Sequence, residues 1–334
     1  MTNRFRVSST LPRRLEELGL SPQAVLRQAG LPKGLFNQEK ILVSTGEFFA
    51  LYRGIAEASH DPGFGLKLGT EGRIERYDPI QIAALSARSF RDAVQRLARY
   101  KQLTCPEEIR LVERGSECAV HFVWLLAHES EPPLLVDLCF AWVVAIGRRG
   151  TGQIINPIRV ELQRAPAHRE ILESHFGCRV KFNAGANALV FSKADIGRPF
   201  VTHNAELLSL VAPQLEAELA QQLAQKTLSE QVKAILKRLL AGMRPTLQDV
   251  ARDLRMSART LQRRLNEEGA NFQQLLEAAR RELAAHYLLH SSLELNETAY
   301  LLGYEDANSF FRAFHQWEGT SPSEWRALHR QSAA

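Results

Sequence analysis

The sequence predicts an α+β N-terminal domain followed by an all-α domain with two helix-turn-helix units joined by a linker helix. Three observations lead to this fold class. The chain has 334 residues, of which 45% are apolar, so it is long enough for two domains with separate cores. Helix and strand patterns alternate over the first two hundred residues. Beyond them, one pair of short helices occurs twice near the C-terminus.

Helical and strand periodicities alternate in residues 1–200. Helices are predicted at 11–18, 21–29, 44–58, 89–103, 133–146 and 167–175. Strands are predicted at 107–112, 117–125, 158–162, 178–182 and 188–191. Arg114-Gly115-Ser116 lies between the first two strands and is typical of a hairpin turn. This mixture of elements indicates an α+β domain.

The duplicated pattern lies in the last hundred residues. Its first copy is VARDL at 250–254 followed by LQRRL at 261–265, and its second copy is TAYLLGY at 298–304 followed by FFRAF at 310–314. The copies are about 48 residues apart before the turn (250 to 298) and about 49 after it (261 to 310). Such a near-regular offset predicts two similar helix-turn-helix units.

The first copy forms two amphipathic helices in this interpretation. Thr246 and Asp249 resemble a capping box for the first helix, and Ser257 is a good N-cap for the second. In the second helix the inward positions are Ala258, Leu261 and Leu265, and the outward positions are Arg259, Gln262, Arg263 and Asn266. Arginine recognises guanine and glutamine recognises adenine in the major groove, which favours DNA binding. The alternative is an ordinary amphipathic helix with a solvated charged face.

The second copy repeats this arrangement with aromatic residues. Gly303 fits the end of its first helix, and Asp306 is the expected N-cap of its second. The apolar stripe of that second helix is Phe310, Ala313, Phe314 and Trp317, and the opposite face carries Asn308, Ser309 and Arg312. Asn308 and Arg312 are therefore expected to contact base edges, with a phosphate contact as the alternative for Arg312.

These residues carry a family resemblance. The segments GYEDANSFFRAFHQWEGTSPSEWR (303–326) and LQRRLNEEGANFQQLLEAARRELAAHYLL (261–289) resemble AraC-type (AraC/XylS) transcription regulators. The resemblance implies a seven-helix DNA-binding domain at 228–334 with a linker helix at 272–288. Two positions depart from the family pattern: Thr298 replaces the usual aliphatic residue, and Phe311 replaces a residue that is commonly smaller. The resemblance therefore does not determine how the side chains of the second unit pack.

The base-facing residues follow from matching the motif positions of that family, and the candidate phosphate contacts are basic and hydroxyl residues at the second helix of the first copy and on the linker helix. The base-facing positions are Arg259, Gln262, Arg263, Asn308, Ser309 and Arg312. The candidate phosphate contacts are Ser257, Thr260, Arg264 and Arg281. For Arg264, Arg280 and Arg281, surface ion pairs are the equal alternative. The expected partners are double-stranded promoter DNA and, as the resemblance implies, RNA polymerase.

The first 200 residues resemble a second family feature, the arabinose-binding-like N-terminal domain of one branch of these regulators. The segments DPGFGLKLG (61–69) and HREILESHFGCRVKFNAGANALVFSKADIGRP (168–199) carry this resemblance. It implies an effector-sensing domain, a dimerisation domain, or both, with an unknown small-molecule effector. The candidate pocket residues are Tyr77, Tyr100, Trp124, Phe140 and Trp142, with Arg76 as a partner for an acidic group. The alternative is that these aromatic residues are simply core.

The segment 201–227 is expected to connect the two domains. Residues 206–225 are helical by propensity and carry an apolar stripe of Leu207, Leu210, Leu215, Leu219 and Leu223, interrupted by Pro213. This helix is either a dimer helix or a strut against the N-terminal domain. The resemblance favours a homodimer.

Composition excludes several classes of protein. No run of about 18 apolar residues occurs, so no membrane span is expected, and the N-terminus lacks the apolar core of a signal peptide. The four cysteines are far apart and are expected to be reduced and mostly buried, which is typical of a cytoplasmic protein. From Lys226 onward there are 15 Lys and Arg against 13 Asp and Glu, so only +2 of the net charge of +5 lies there. Net charge alone therefore does not predict DNA binding.

An enzyme is the competing class. Gly63, Gly65 and Gly69 do not form a dinucleotide-binding fingerprint, and no G-x-S-x-G motif occurs. His168, His175 and Cys178 fit no common zinc spacing, so neither a metal nor a cofactor is expected. Methyl-accepting DNA-repair proteins share the helical module, but Cys105-Pro106 has the reverse order of their acceptor motif. The expected function is an effector-responsive transcription activator, with a protein-interaction module as a further alternative.

Overall fold

A computed structural model of the chain describes residues 5–38, 40–70, 77–124, 127, 129–224, 227–240, 243–290 and 293–331. The chain divides into two compact units, Met1–Leu219 and Ala220–Ala334. The division falls within the predicted connecting segment 201–227. Of the helices in the described ranges, none has both the length and the apolar character that a bilayer crossing requires.

The N-terminal unit combines helices with two sheets. Its helices are α1 (Leu11–Glu17), α2 (Pro22–Gln28), α3 (Thr45–Ser59), α4 (Phe64–Gly69), α5 (Pro79–Leu85), α6 (Phe90–Tyr100), α7 (Pro133–Thr151), α8 (Arg169–Phe176), α9 (Lys193–Ile196) and most of α10 (Ala205–Ala224). Its strands are β1 (Phe5–Arg6), β2 (Leu42–Val43), β3 (Glu107–Arg114), β4 (Glu117–Trp124), β5 (Arg159–Glu161), β6 (Arg179–Lys181) and β7 (Ala188–Ser192).

The main sheet has the order β3-β4-β7-β5-β6. Its pairs are antiparallel except for β5 and β6, which are parallel. Alternate residues of β4 are buried, which matches a sheet with one face on the core. The α+β prediction is therefore confirmed, and every predicted strand is present with small differences at its ends. The two-stranded β1–β2 sheet and the helices α5 and α9 were not predicted.

Close helix packing explains the glycines near residue 65. An added Cβ at Gly65 would lie 2.6 Å from the carbonyl oxygen of Leu134, and one at Gly69 would overlap the carbonyl oxygen of Leu138. Both glycines lie on α4 and face α7, so only glycine permits this approach of the two backbones.

The C-terminal unit contains seven helices in its described residues, as the resemblance implied. They are α11 (Leu228–Leu239), α12 (Leu247–Asp253), α13 (Ala258–Glu267), α14 (Phe272–His290), α15 (Leu295–Leu301), α16 (Ala307–Glu318) and α17 (Pro322–Gln331). The linker helix is α14. Its buried face includes Leu276, Ala279, Leu283 and Ala284, which lie in one core with residues from both helix pairs.

The two helix-turn-helix units are α12–α13 and α15–α16. The capping box at Thr246 and Asp249 is present, and the Ser257 hydroxyl caps α13. Thr298 is fully buried, but its hydroxyl donates to the carbonyl oxygen of Glu294 at 3.1 Å. This hydrogen bond satisfies the buried hydroxyl, so threonine is accommodated where the family usually has an aliphatic residue.

Candidate nucleic-acid interface

The first recognition helix, α13, presents a polar face to solvent. Leu261 and Leu265 are buried, so the helical repeat turns Arg259, Gln262 and Arg263 outward, and all three are exposed. Within the described residues, the side chains of Arg259 and Gln262 have no hydrogen-bond or ion-pair partner in the chain. Arg263 lies 3.8 Å from Glu267, with 69% of its side chain exposed. Such an exposed pair is weak, so the guanidinium remains accessible to a ligand.

The second recognition helix, α16, has a more organised outward face. Phe310 and Phe314 are buried, and Asn308 and Arg312 are exposed. The carboxylate of Asp306 accepts from the backbone N–H of Ser309 at 2.8 Å and from its hydroxyl at 2.7 Å. Arg312 in turn donates to that hydroxyl at 3.2 Å. The chain Asp306–Ser309–Arg312 therefore holds the Arg312 side chain along the start of the helix.

The charge state of Asp306 follows from this arrangement. Its hydrogen bonds from Ser309 lower the pKa of the carboxyl group, so the cap is ionised at neutral pH. A negative charge at a helix N-terminus is favourable because the helix dipole is positive there.

The candidate phosphate contacts differ in their surroundings. The hydroxyl of Ser257 accepts from the backbone N–H of Thr260 at 3.1 Å and lies 2.8 Å from the Thr260 hydroxyl. Arg264 is exposed and has no side-chain partner within the described residues. Arg281 differs, because its Nε lies 2.7 Å from the carboxylate of Glu318. A phosphate at Arg281 would have to compete with that carboxylate.

The sequence left two alternatives for Arg280, a phosphate contact and a surface ion pair, and the structure shows a third arrangement. Its guanidinium donates to the carbonyl oxygens of Leu302 at 3.0 Å and Gly303 at 3.2 Å, and it lies 4.4 Å from the centroid of the Tyr304 ring. Burial lowers the pKa of this guanidinium, which still remains charged at neutral pH. The last carbonyl groups of α15 have no hydrogen-bond partner within the helix, so the sequence could have indicated that some side chain binds them. Which arginine reaches them depends on tertiary packing.

The candidate effector residues separate into two groups. Tyr100, Trp124 and Phe140 are 1–2% exposed and belong to the core, as the alternative interpretation held. Tyr77 and Trp142 are half-buried and line a cavity of about 10 Å³, room for one water molecule, together with Gln81 and Arg149. Arg76 lies outside the described residues. Gln81 and Arg149 were not predicted, although Arg149 lies three residues after Ile146, where the apolar run of α7 ends.

Two adjacent helix-turn-helix units whose second helices expose arginine and amide side chains define a DNA-binding protein. A model of the arabinose-binding domain of AraC transcription regulators, N-terminal, matches residues 19–200, and a helix-turn-helix domain model matches residues 250–328. The chain belongs to the AraC family of transcription regulators.

Several proteins are similar to the chain over nearly its whole length. The transcriptional regulator VirS of Mycobacterium tuberculosis is 28% identical over 321 residues, 94% of this chain and 93% of VirS. The ornithine utilization regulator of Pseudomonas aeruginosa is 28% identical over 312 residues, 93% of this chain and 92% of that protein. The crystal structure of the transcriptional regulator CdpR from P. aeruginosa is 20% identical with a TM-score of 0.45, and the match covers 96% of this chain and 99% of CdpR.

Proposed function

We propose that this transcription regulator inserts α13 and α16 into successive major grooves on one side of promoter DNA, about 34–36 Å apart. The observation that carries this proposal is the outward polar face on each recognition helix within a single compact unit. In the first groove Arg259, Gln262 and Arg263 contact bases. In the second, Asn308 and Arg312 contact bases, and Ser309 orients Arg312 through its hydroxyl.

Phosphate contacts position the protein on the duplex without reading its sequence. We assign this role to Arg264 and to the hydroxyl groups of Ser257 and Thr260 at the start of α13. The N-terminus of a helix favours an anion there. The similar regulators come from bacteria, whose DNA lies in the cytoplasm, so we place the site of action there.

The N-terminal unit supplies regulation in this proposal. A relative is named a regulator of ornithine utilization, which supports a small-molecule effector for this chain too. The small cavity between Tyr77, Trp142, Gln81 and Arg149 combines aromatic walls, an amide and a cation, which are groups that recognise an acidic small molecule. Effector binding then favours the DNA-binding arrangement that activates transcription with RNA polymerase.

A homodimer is part of the same proposal. On α10, Leu215 is buried in the core of the N-terminal unit and Leu208 and Val211 pack against that core, but Leu207 and Leu210 are 39% and 75% exposed. One face of this helix is therefore attached to the N-terminal core, and the exposed face with Leu207 and Leu210 is available to a second copy of the chain.

The deciding experiment is sequencing of genomic DNA fragments retained by the purified protein, followed by a footprint on the enriched site. The proposal expects protection of two segments about one helical turn apart for each monomer. The variant R263A/R312A is the control and should lose the enrichment. A footprint confined to one major groove, or enrichment that persists in the control, would contradict binding by both helices.

A further inference from the structure

Two neighbouring arginines on the linker helix hold the second helix-turn-helix at both ends of its recognition helix. Arg280 binds the turn that precedes α16. It donates to the carbonyl oxygens of Leu302 and Gly303, and its guanidinium lies 4.4 Å from the centre of the Tyr304 ring. The Tyr304 ring lies 5.8 Å from the ring of Phe310, the first fully buried residue of α16. The position of α14 is thus transmitted to the N-terminal end of α16.

Arg281 holds the opposite end of the same helix. Its Nε lies 2.7 Å from the carboxylate of Glu318, the last residue of α16. The side chain of Glu318 is only 19% exposed. Because α16 has 12 residues, the two contacts act near the ends of a rod roughly 18 Å long. Contacts near both ends fix the direction of α16, whereas a single contact would allow the helix to rotate about it.

A third arginine connects the same turn to the first helix-turn-helix. Arg244, which precedes α12, donates from Nε to the carbonyl oxygen of Gly303 at 3.1 Å and pairs with Glu305. The carbonyl oxygen of Gly303 therefore accepts from Arg244 and from Arg280. The entry to the first helix-turn-helix, the linker helix and the second helix-turn-helix meet at this one residue.

We propose that Arg280, Arg281 and Glu318 are positioning residues that restrict the chain to one spacing between its two half-sites. This inference rests on the proposed binding of both recognition helices. Two added base pairs turn the second half-site by roughly 70° about the duplex axis, because one turn takes about 10–10.5 base pairs. A second recognition helix with a fixed direction cannot follow that rotation, whereas a loosely attached one can.

The test measures binding to three synthetic duplexes that carry the footprinted site with its natural spacing, with one added base pair and with two. For the wild-type protein we expect a loss of about tenfold or more with two added base pairs, the value of one recognition helix's base contacts. The variants R281Q, E318Q and R280K should reduce this penalty to about threefold or less. R280K keeps the charge but not the fork that reaches two carbonyl oxygens.

E318Q separates positioning from a phosphate contact at Arg281. It removes the negative charge that pairs with Arg281 without removing a cation. If Arg281 binds phosphate, E318Q should therefore bind all three duplexes at least as well as before, with an unchanged penalty. That result would overturn the inference. R264Q is the matched control, because loss of a phosphate contact should weaken binding to all three duplexes equally and reduce its salt dependence.

The outcomes distinguish the inference from the proposal on which it rests. A wild-type protein without a spacing penalty would overturn the inference, because its second recognition helix could then follow the rotation. The proposed binding of both helices would fall only if the footprint were also confined to one major groove. A wild-type penalty that survives in E318Q and R280K would overturn the inference alone. If circular dichroism shows that R280K does not fold, E318Q decides the question, because it keeps the size and shape of the Glu318 side chain.

Discussion

Replacing Gly303 by alanine should destabilise the C-terminal unit through two separate effects. Gly303 has φ of +71°, the left-handed region, where a side chain costs about 1–2 kcal/mol. An added Cβ would also overlap the carbonyl oxygen of Met243 and lie 3.3 Å from Leu240. Overpacking of this kind costs about 1–3 kcal/mol, so the expected total loss of unfolding free energy is about 2–5 kcal/mol.

Gly269 offers a matched control for the backbone effect. It has φ of +72°, and nothing lies within 4 Å of an added Cβ. The variant G269A should therefore lose only the conformational part, about 1–2 kcal/mol. The difference between the two variants isolates the contact between the Gly303 turn and the segment that leads into α12.

Scanning calorimetry of the full-length protein measures both losses. Cognate DNA raises the unfolding temperature of the unit that binds it, which identifies the C-terminal transition. For a unit of this size, 1 kcal/mol corresponds to a shift of roughly 4 °C. Equal shifts in G303A and G269A would refute the close approach of Met243 to Gly303, and with it the junction between the two helix-turn-helix units.

Three further variants test other parts of the structure. R263A should weaken binding to the footprinted site by about 1–3 kcal/mol and relax the sequence preference at one base pair, which a mobility-shift assay on substituted duplexes measures. An unchanged base preference would show that Arg263 on α13 does not contact that base. L210E should convert the dimer to the 37.6 kDa monomer, measured by light scattering, whereas S209E on the same helix should remain dimeric. If L210E is still a dimer, the face of α10 that carries Leu210 is not the dimer interface. D306A should lower the unfolding temperature by removing the cap of α16. Because the folded pKa of Asp306 is depressed, the cap stabilises above the unfolded pKa and is lost as pH falls through the folded pKa. The difference between D306A and wild type should therefore shrink on acidification, and a difference that grows would contradict the assignment.

Local patterns in the sequence were sufficient for the helices that carry the candidate site. The repeat that buries Leu261 and Leu265 also determines that Gln262 and Arg263 face outward, because a helix has one period. The caps at Ser257 and Asp306 were predictable for the same reason, since a cap involves residues only three positions apart.

Contacts between distant segments were not predictable in this way. Arg280 and Arg281 are adjacent and look alike in the sequence, yet one binds backbone carbonyl oxygens and the other a carboxylate. Their roles depend on how α15 and α16 pack on α14. Tyr100 and Tyr77 were equally good pocket candidates, and only the tertiary structure shows that the first is core. The two-residue strands β1 and β2 are too short to produce any periodicity.

The small net charge of the C-terminal unit is compatible with DNA binding because several of its acidic groups form ion pairs away from the recognition helices. The ion pairs away from the recognition helices' outward faces include Lys233 and Lys237 with Glu282, Arg238 with Asp253, Arg244 with Glu305, Arg252 with Asp249 and Arg281 with Glu318. These pairs cancel charge within the scaffold. On α13, by contrast, Arg259, Arg263 and Arg264 face solvent, and within the described part of the chain only Arg263 has an ion-pair partner, the weakly bound Glu267. The field that a phosphate backbone meets is set by this local excess, since exposed charges farther away than about 8 Å are largely screened at physiological salt. The net charge of the whole unit combines these paired charges with the exposed arginines of α13. It therefore does not show the local positive charge that a phosphate backbone would meet.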